Sequence, residues 1–196
     1  NTEATVESTV DRVNSDLLDI RQIFDSANYN IVQEFDISSE KFAEQFSLLY
    51  EVNSDKIESL ALYGNEGRLI ASEPVAVEKE NIDVKGQDWY KNAESAIENV
   101  HFSIPHIQNL YEDGLYRYHW VVSLSRYVDI NDGEIPGSGV LLVDMKYSVI
   151  EDVLKQINDS SEGIYYYMIS RDGQMIYHPR KTEMARGLFE ENSLKA

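Results

Sequence analysis

The chain has 196 residues, 42% of them hydrophobic and 11% aromatic, enough for one domain with a sizeable core or for one domain and part of a second. Its 17 Lys and Arg against 35 Asp and Glu give a formal charge of −18, a surface that repels phosphate backbones and anionic headgroups, so neither nucleic acid nor the face of a bilayer is expected as a partner. The absence of Cys excludes disulfides, thiolate metal sites and a Cys nucleophile, and no apolar run approaches the ~20 residues that a membrane-spanning helix needs.

Over residues 2–35 the apolar positions Val6, Val10, Val13, Leu17, Ile20, Phe24, Ala27 and Ile31 recur at helical spacing, leaving Glu3, Glu7, Asp11, Asp16, Asp19 and Asp25 for solvent. The pattern predicts one long continuous helix. Two compatible roles stay open for it: a core helix lying across a sheet, and a helix that emerges from a membrane span and pairs with its copy in a dimer. Ser38-Ser39-Glu40 then caps a second helix whose apolar face is Phe42, Phe46, Leu49 and Tyr50.

Residues 57–63 and 68–72 read as strands about the turn Gly64-Asn65-Glu66-Gly67, whose residues accept positive φ. A polar link over 73–85 leads to Gly86 and to a short helix, capped by Asp88 and packed through Trp89, Ala93 and Ile97. Residues 101–110 and 115–130 read as a long antiparallel pair joined at 111–114. Alternation in the second strand puts Tyr116, Tyr118, Trp120, Val122, Leu124 and Arg126 on one face, and Arg117, His119, Val121, Ser123, Ser125 and Tyr127 on the other. A polar loop over 131–139 returns the chain to a strand at 140–145 and an amphipathic helix at 148–157. The class is therefore α+β, with about five strands in one antiparallel sheet.

Residues 158–162 are polar and read as a linker. Beyond them 164–170 and 174–178 form a hairpin about Arg171-Asp172-Gly173, and 182–194 reads as a helix. Two strands make no core of their own, so this segment either packs on the long helix or opens a second unit. The chain begins at Asn1 rather than Met and is expected to be a soluble piece of a longer protein.

No pattern for catalysis or metal binding emerges. His101 and His106, five apart on an extended segment, fall on opposite faces; His119 and His178 stand elsewhere, and neither HExxH nor CxxC occurs. The run from Asp129 to Glu134 lacks the spacing and the bidentate Glu of a calcium loop. Glu190-Glu191 and Glu151-Asp152 are carboxylate pairs of the sort that so acidic a chain produces by chance, and Ser138 lacks the Gly-x-Ser-x-Gly context of a nucleophile elbow. No catalytic residue, metal site or cofactor is expected.

The succession of a long helix, LYGNEGRLIAS, GQDWYKNA, HFSIPHI, YRYHWVVSLSRYV, GVLLVDMKYSVIEDVL and YYYMISRDGQMIYHP resembles the double Cache extracellular sensor domains of bacterial receptors. The likeness runs through the whole chain in order. It implies a long N-terminal helix and a second helix (1–50), a membrane-distal PAS-like module with a five-stranded antiparallel sheet (51–157), and the incomplete start of a smaller membrane-proximal PAS-like module (158–196). The ending IYYYMISRDGQMIYHPRKTEMARGLFEEN is similar to sensor histidine kinases that regulate nutrient uptake in Gram-positive bacteria.

In that family an Arg two residues before a Trp-Tyr pair holds a ligand carboxylate, and an Asp on the last strand of the distal module holds the amine. Trp89, Tyr90 and Asp144 match, but the Arg place is Gln87, which makes no charge-assisted fork to a carboxylate. An ordinary α-amino acid is then an unsuitable ligand unless Arg126 supplies the charge. The resemblance puts the ligand site at Trp89, Tyr90, Ser103, His106, Tyr118, Trp120, Ser123, Arg126 and Asp144. Plain core packing is the alternative for the two Trp residues, and mutual pairing is the alternative for Arg126 and Asp144, each of which needs a partner inside an apolar strand.

The function implied is the extracellular sensor of a membrane-anchored histidine kinase in a two-component system, non-catalytic in itself. It would take a small molecule or a ligand-loaded solute-binding protein and act as a homodimer, touching the membrane only through segments outside this chain. A chemotaxis receptor is the nearest alternative; a cofactor-binding PAS module or a small hydrolase is the alternative of another kind.

Overall fold

The structure, a computed structural model, describes residues 2–97, 99–159, 165–169 and 173–180. Helix α1 (Thr2–Asp25) runs without a break into a π-helical turn, Ser26–Val32, and a Ser39 hydroxyl that accepts from the Phe42 N–H starts α2 (Glu40–Val52) as its cap. The sheet follows: β1 (Ile57–Gly64), β2 (Leu69–Glu73), then, after α3 (Asp88–Ser95), β3 (His101–Phe102), β4 (His106–Ile107), β5 (Trp120–Asp132) and β6 (Ile135–Lys146), with α4 (Ser148–Asp159) closing the module. The strand order is β2-β1-β6-β5-β3, all antiparallel, and β4 joins β5 beside β3. The α+β architecture with a long N-terminal helix on an antiparallel sheet is as the sequence predicts.

Alternation along the strands sorts the side chains into two cores. Leu62, Val122, Leu124, Leu141, Val143 and Met145 point to α1 and its π-helical extension, where Ile20, Phe24, Ala27, Ile31 and Val32 meet them. Ala61, Tyr63, Val140 and Leu142 point the other way, under Trp89, Tyr90 and Ala93 of α3. Burial of each such side chain is worth about 1.5–3 kcal/mol, so a one-residue slip, which would invert both faces, is strongly disfavoured. This alternation is what puts Asp144 on the α3 side.

Several elements differ from expectation for identifiable reasons. The long helix is not uniformly α: its last seven residues widen into the π turn, which buries Ala27, Asn28, Ile31 and Val32 together. Val10 on the expected stripe is exposed. Asp88 does not cap α3; it is the first helical residue, and Gln87 stands at the cap without a side-chain bond. Ile97 is exposed. The 101–110 strand is broken at residues 103–105, where Pro105 removes a donor, and 108–119 forms a loop beyond the strands, closed where the Gln108 N–H donates to the His119 carbonyl at 2.8 Å.

The expected loop at 131–139 is instead strand almost to its tip, with Gly133 at φ +69°. Pro136 is tolerated there because β1 ends opposite Gly139, leaving that stretch of β6 with β5 as its one partner.

After α4, β7 (Met168–Ile169) and β8 (Met175–Tyr177) form the expected hairpin. It is fastened to the module: Tyr147 Oη donates to the Ile176 carbonyl (3.0 Å), the Tyr166 N–H donates to Asn158 Oδ1 (2.7 Å), and Tyr177 enters the helix-side core. The helix expected over 182–194 lies outside the described residues. Among the described residues no helix is long and apolar enough to cross a membrane.

Candidate ligand site

Asp144 lies near the C-terminal end of β6, opposite Ser59 of β1 on one side and Ser123 of β5 on the other. The residue is 1% exposed. Ser123 Oγ donates to one oxygen at 2.5 Å and Ser59 Oγ to the other at 3.4 Å. Behind Ser123 stands His106 of β4, whose Nε2 is 3.3 Å from Ser123 Oγ and whose Nδ1 is 2.9 Å from the Ile104 carbonyl. Ser103 Oγ accepts from the Ser123 N–H (2.8 Å) and donates to the same carbonyl (2.9 Å), so the bend between β3 and β4 is tied to the strand that holds the cluster.

Burial pushes the Asp144 carboxyl well above the usual carboxylate range, while the Ser123 hydrogen bond and the nearby His106 pull the other way. A carboxylate this buried is normally met by a cation, and here its direct partners are two hydroxyls.

The cluster lies between two clefts. The larger, about 910 Å³, opens between the segment 74–79 and the loop 107–119, with Ser59 and Tyr111 in its wall. Tyr111 and Tyr63 share a hydroxyl hydrogen bond of 2.9 Å beneath it. Burial raises both phenols out of any physiological titration, so they serve as neutral donors and acceptors. At its edge His119 is clamped by two carboxylates, Nδ1 at 2.8 Å from Glu58 Oε1 and Nε2 at 2.5 Å from Asp113 Oδ2, and Arg117 Nε reaches the same Asp113 oxygen at 3.1 Å. The His119 bond is the main reason that the Asp113 carboxyl falls to about 2. The smaller cleft, about 370 Å³, runs between α3 and the β3–β4 bend and is lined by Trp89, His101, Ser103 and His106. Ser125 Oγ, donating to the Trp89 carbonyl at 2.8 Å, anchors α3 beside it.

The family model of the Cache domain matches residues 1–195. The chain belongs to the Cache-domain family. Its module is a ligand-binding sensor, not an enzyme. No curated protein matches it. Solved structures that share the fold include ligand-binding domains of chemoreceptors. One is Pseudomonas aeruginosa PctC in complex with GABA, with TM-score 0.70, 17% identity, and coverage of 93% of this chain and 76% of that one. Another is PctB of the same organism with L-Arg, at TM-score 0.64 and 20% identity over 92% of this chain. A third is Pseudomonas fluorescens CtaA with L-serine, at TM-score 0.63 and 17% identity, covering 95% of this chain and 76% of that one. The present chain spans 65% of the PctB chain in the L-Arg complex.

Within this Cache domain the nine residues expected at the site do not all meet. Ser103, His106, Ser123 and Asp144 form the bonded cluster just described. Trp89 lines the smaller cleft. Tyr90 is buried behind it, its ring 5.6 Å from that of Trp89 and its hydroxyl donating to the Gly64 carbonyl at 2.8 Å. Tyr118 stands on the rim of the larger cleft, highly exposed.

Trp120 and Arg126 are on the opposite face of the sheet, because they share the parity of Val122 and Leu124. Trp120 packs near Tyr147, ring centroids 5.9 Å apart. Arg126 does not pair with Asp144: its Nη1 donates to Tyr29 Oη at 2.8 Å and its guanidinium lies 5.8 Å from the Tyr29 ring. His101 and His106, expected on opposite faces, line the same cleft because the break at 103–105 resets the alternation. Sequence reasoning missed Ser59, Tyr63, Tyr111 and the Glu58–His119–Asp113 clamp. For Ser59 a signal existed, a lone hydroxyl in an apolar strand; the clamp joins β1 to a loop and leaves none.

Proposed function

We propose that this chain is the extracytoplasmic sensing domain of a transmembrane sensor histidine kinase of a two-component system, and that it binds a small solute directly in the cleft over Ser59 and Asp144. The observation that carries the site is the buried Asp144 carboxyl, met by hydroxyls alone, one of them from Ser59 in the wall of an open cleft. A purely structural carboxylate would be paired with a cation or replaced by an apolar side chain. Signal then passes as a population shift: a ligand biases two arrangements of the module only by its differential affinity for them.

The kinase assignment draws on the ending YMISRDGQMIYHP and its likeness to nutrient-regulating kinases. The chemoreceptor titles of the solved relatives favour a second reading, in which the same sensor drives a methyl-accepting output. On either reading residues 158–196 begin a membrane-proximal module, the receptor is a homodimer, and the domain is extracellular. A ligand-loaded binding protein is the alternative input, for which exposed Val75, Val77, Leu115 and Tyr116 beside the cleft would be the contact.

The test is a thermal-shift screen of the chain against amines, amino acids, organic acids, sugars and peptides, since a ligand specific to the native state raises the melting temperature. A hit lost in Asp144→Asn, with loss of the full-length receptor's response to the same compound, is the expected result. A receptor that responds normally with Asp144→Asn overturns the site.

A further inference from the structure

We propose that Glu58, His119 and Asp113 form a proton-operated latch, which holds the outer half of the 107–119 loop against β1 in mildly acid medium and releases it as the pH rises.

Each ring nitrogen of His119 lies at bonding distance from a carboxylate oxygen, Nδ1 at 2.8 Å from Glu58 and Nε2 at 2.5 Å from Asp113. Ionised carboxylates only accept, so both nitrogens donate and the ring is an imidazolium. A neutral ring has one N–H and serves one carboxylate. The bond to Asp113 is the shorter, and Asp113 also accepts from Arg117 Nε at 3.1 Å and from the Leu115 N–H at 2.8 Å, all inside the loop. The bond given up on deprotonation is therefore the one to Glu58, which crosses from loop to sheet.

Three features make that crossing bond a latch. The register of β1 on β6 shifts between Ile57, opposite Met145, and Ser59, opposite Asp144, so Glu58 is the extra residue of a bulge, a device that re-aims a side chain. Among the described residues, Glu58 is the one group outside the loop to which a side chain of residues 113–119 is bonded. The inner half of the loop is fastened differently, by backbone: the Lys79 N–H donates to the Leu110 carbonyl at 2.9 Å and the Glu112 N–H to the Val77 carbonyl at 2.8 Å. Finally, Tyr116 sits at φ +53°, a left-handed conformation that bulky side chains rarely adopt, so the closed loop carries strain that release relieves. Leu115 and Tyr116 are highly exposed, and little apolar burial holds the tip down.

The charged and titratable groups on the elements around His119 are few. They are Glu58 of β1; Glu112, Asp113 and Arg117 of the loop; Glu78 and Lys79 of the facing segment; and Lys146 at the end of β6, between the two strands. In the field of Glu58 lie Tyr50 of α2 and the buried Asp144, with His106 behind it. Imidazole is the side chain whose ordinary titration falls between pH 5 and 8, and ammonium, guanidinium and ordinary carboxyl groups titrate outside that range. Burial raises Asp144 toward it, and Asp144→Asn separates the two. Glu58, Asp113, Arg117 and His119 all line the larger cleft, so on the reading that this cleft takes the ligand, the pH of the medium sets how open it is.

The chain has no Cys, so spin labels at Leu115→Cys on the loop and Val52→Cys at the end of α2, both exposed, report the distance across the latch in the full chain without ligand. From pH 5 to pH 8 the fraction at long distance should rise about three- to tenfold. Glu58→Ala, with no acceptor, should show the long distance at both pH values. Glu58→Gln should stay closed at both, because an amide accepts from imidazolium through its oxygen and donates to a neutral ring through its nitrogen. Asp144→Asn should keep the pH response of the parent.

A parent distance that ignores pH overturns the latch, and so does a pH response that persists in Glu58→Ala. A response lost in Asp144→Asn assigns the titration to that carboxyl and overturns it equally. Should Glu58→Ala not fold, Glu58→Gln decides: a flat, closed distance supports the latch and a parent-like response overturns it. These measurements contain no ligand, so their failure leaves the ligand reading standing, and failure of the thermal-shift screen leaves the latch standing.

Discussion

Asp144 and Asp113 are perturbed in opposite directions by different physics, and the difference is measurable. Burial raises the Asp144 carboxyl, so its folded-state pKa lies above the unfolded value of about 3.9. Stability linked to it is fully present below the unfolded pKa and is lost as pH rises through the folded one. We expect Asp144→Asn to stabilise the ligand-free chain by about 1–2 kcal/mol at neutral pH, the usual gain when a functional compromise is removed. That gain should shrink toward zero near pH 3; urea unfolding at the two pH values measures it, and a variant no more stable than the parent at neutral pH would contradict the account. Asp113 runs the other way: the His119 bond holds it at about 2, so its contribution is present above the unfolded pKa and disappears as pH falls toward 2. Asp113→Asn should therefore melt below the parent above about pH 4 and coincide with it in strong acid. Equal melting temperatures of the two proteins at neutral pH would show the clamp to be energetically idle.

The central strands carry the fold because their spacing is tight, and Gly139 shows how tight. A Cβ there would stand 2.0 Å from the Tyr63 carbonyl oxygen, on backbone that cannot yield without parting β1 from β6. Gly139→Ala should cost about 3 kcal/mol or more, whereas Gly114→Ala, with open space around the new methyl, should cost well under 1 kcal/mol. Thermal melts of the pair check this, and similar losses would mean that β1 and β6 adjust freely. The strands themselves were legible in the sequence, as were the Ser39 cap, the two hairpins and the amphipathic α4, because period and turn chemistry are local. The split of one long edge strand into β3 and β4 turned on Pro105 and on hydrogen bonds from Ser103 that join residues far apart in sequence. The π turn left no trace in the apolar spacing, since the residues it buries also suit an α-helix. Alternation had already separated Arg126 from Ser123; what it could not say was which face holds the clefts, and that depends on where α3 and the 107–119 loop settle.

The sheet is the common wall between the proposed ligand site and the helix that would carry its signal. Ser59, Ser123 and Asp144 lie on the side of the sheet that carries the clefts, while Arg126, three residues along the same strand from Ser123, faces the π-helical end of the long helix. The Arg126 to Tyr29 contact fastens β5 to that turn, the part of the helix least regular in its hydrogen bonding. Two buried donors there, Arg126 Nε and Asn28 Nδ2, have no hydrogen-bond partner among the described residues, so an alternative packing that satisfied them would gain hydrogen bonds that this one lacks. Because Arg126 touches neither cleft, it can affect output without touching ligand. In the full-length receptor, Arg126→Ala should leave ligand affinity within about threefold of the parent, a change under about 0.7 kcal/mol, while altering basal or ligand-stimulated output severalfold. Tyr29→Phe, which removes the hydroxyl and keeps the ring, should show the same direction with a smaller effect. Ligand titration by calorimetry alongside an output assay separates the two quantities. If Arg126→Ala weakens binding and output in proportion, the residue acts on the site through the sheet; if it changes neither, the coupling to the helix runs through the apolar core alone.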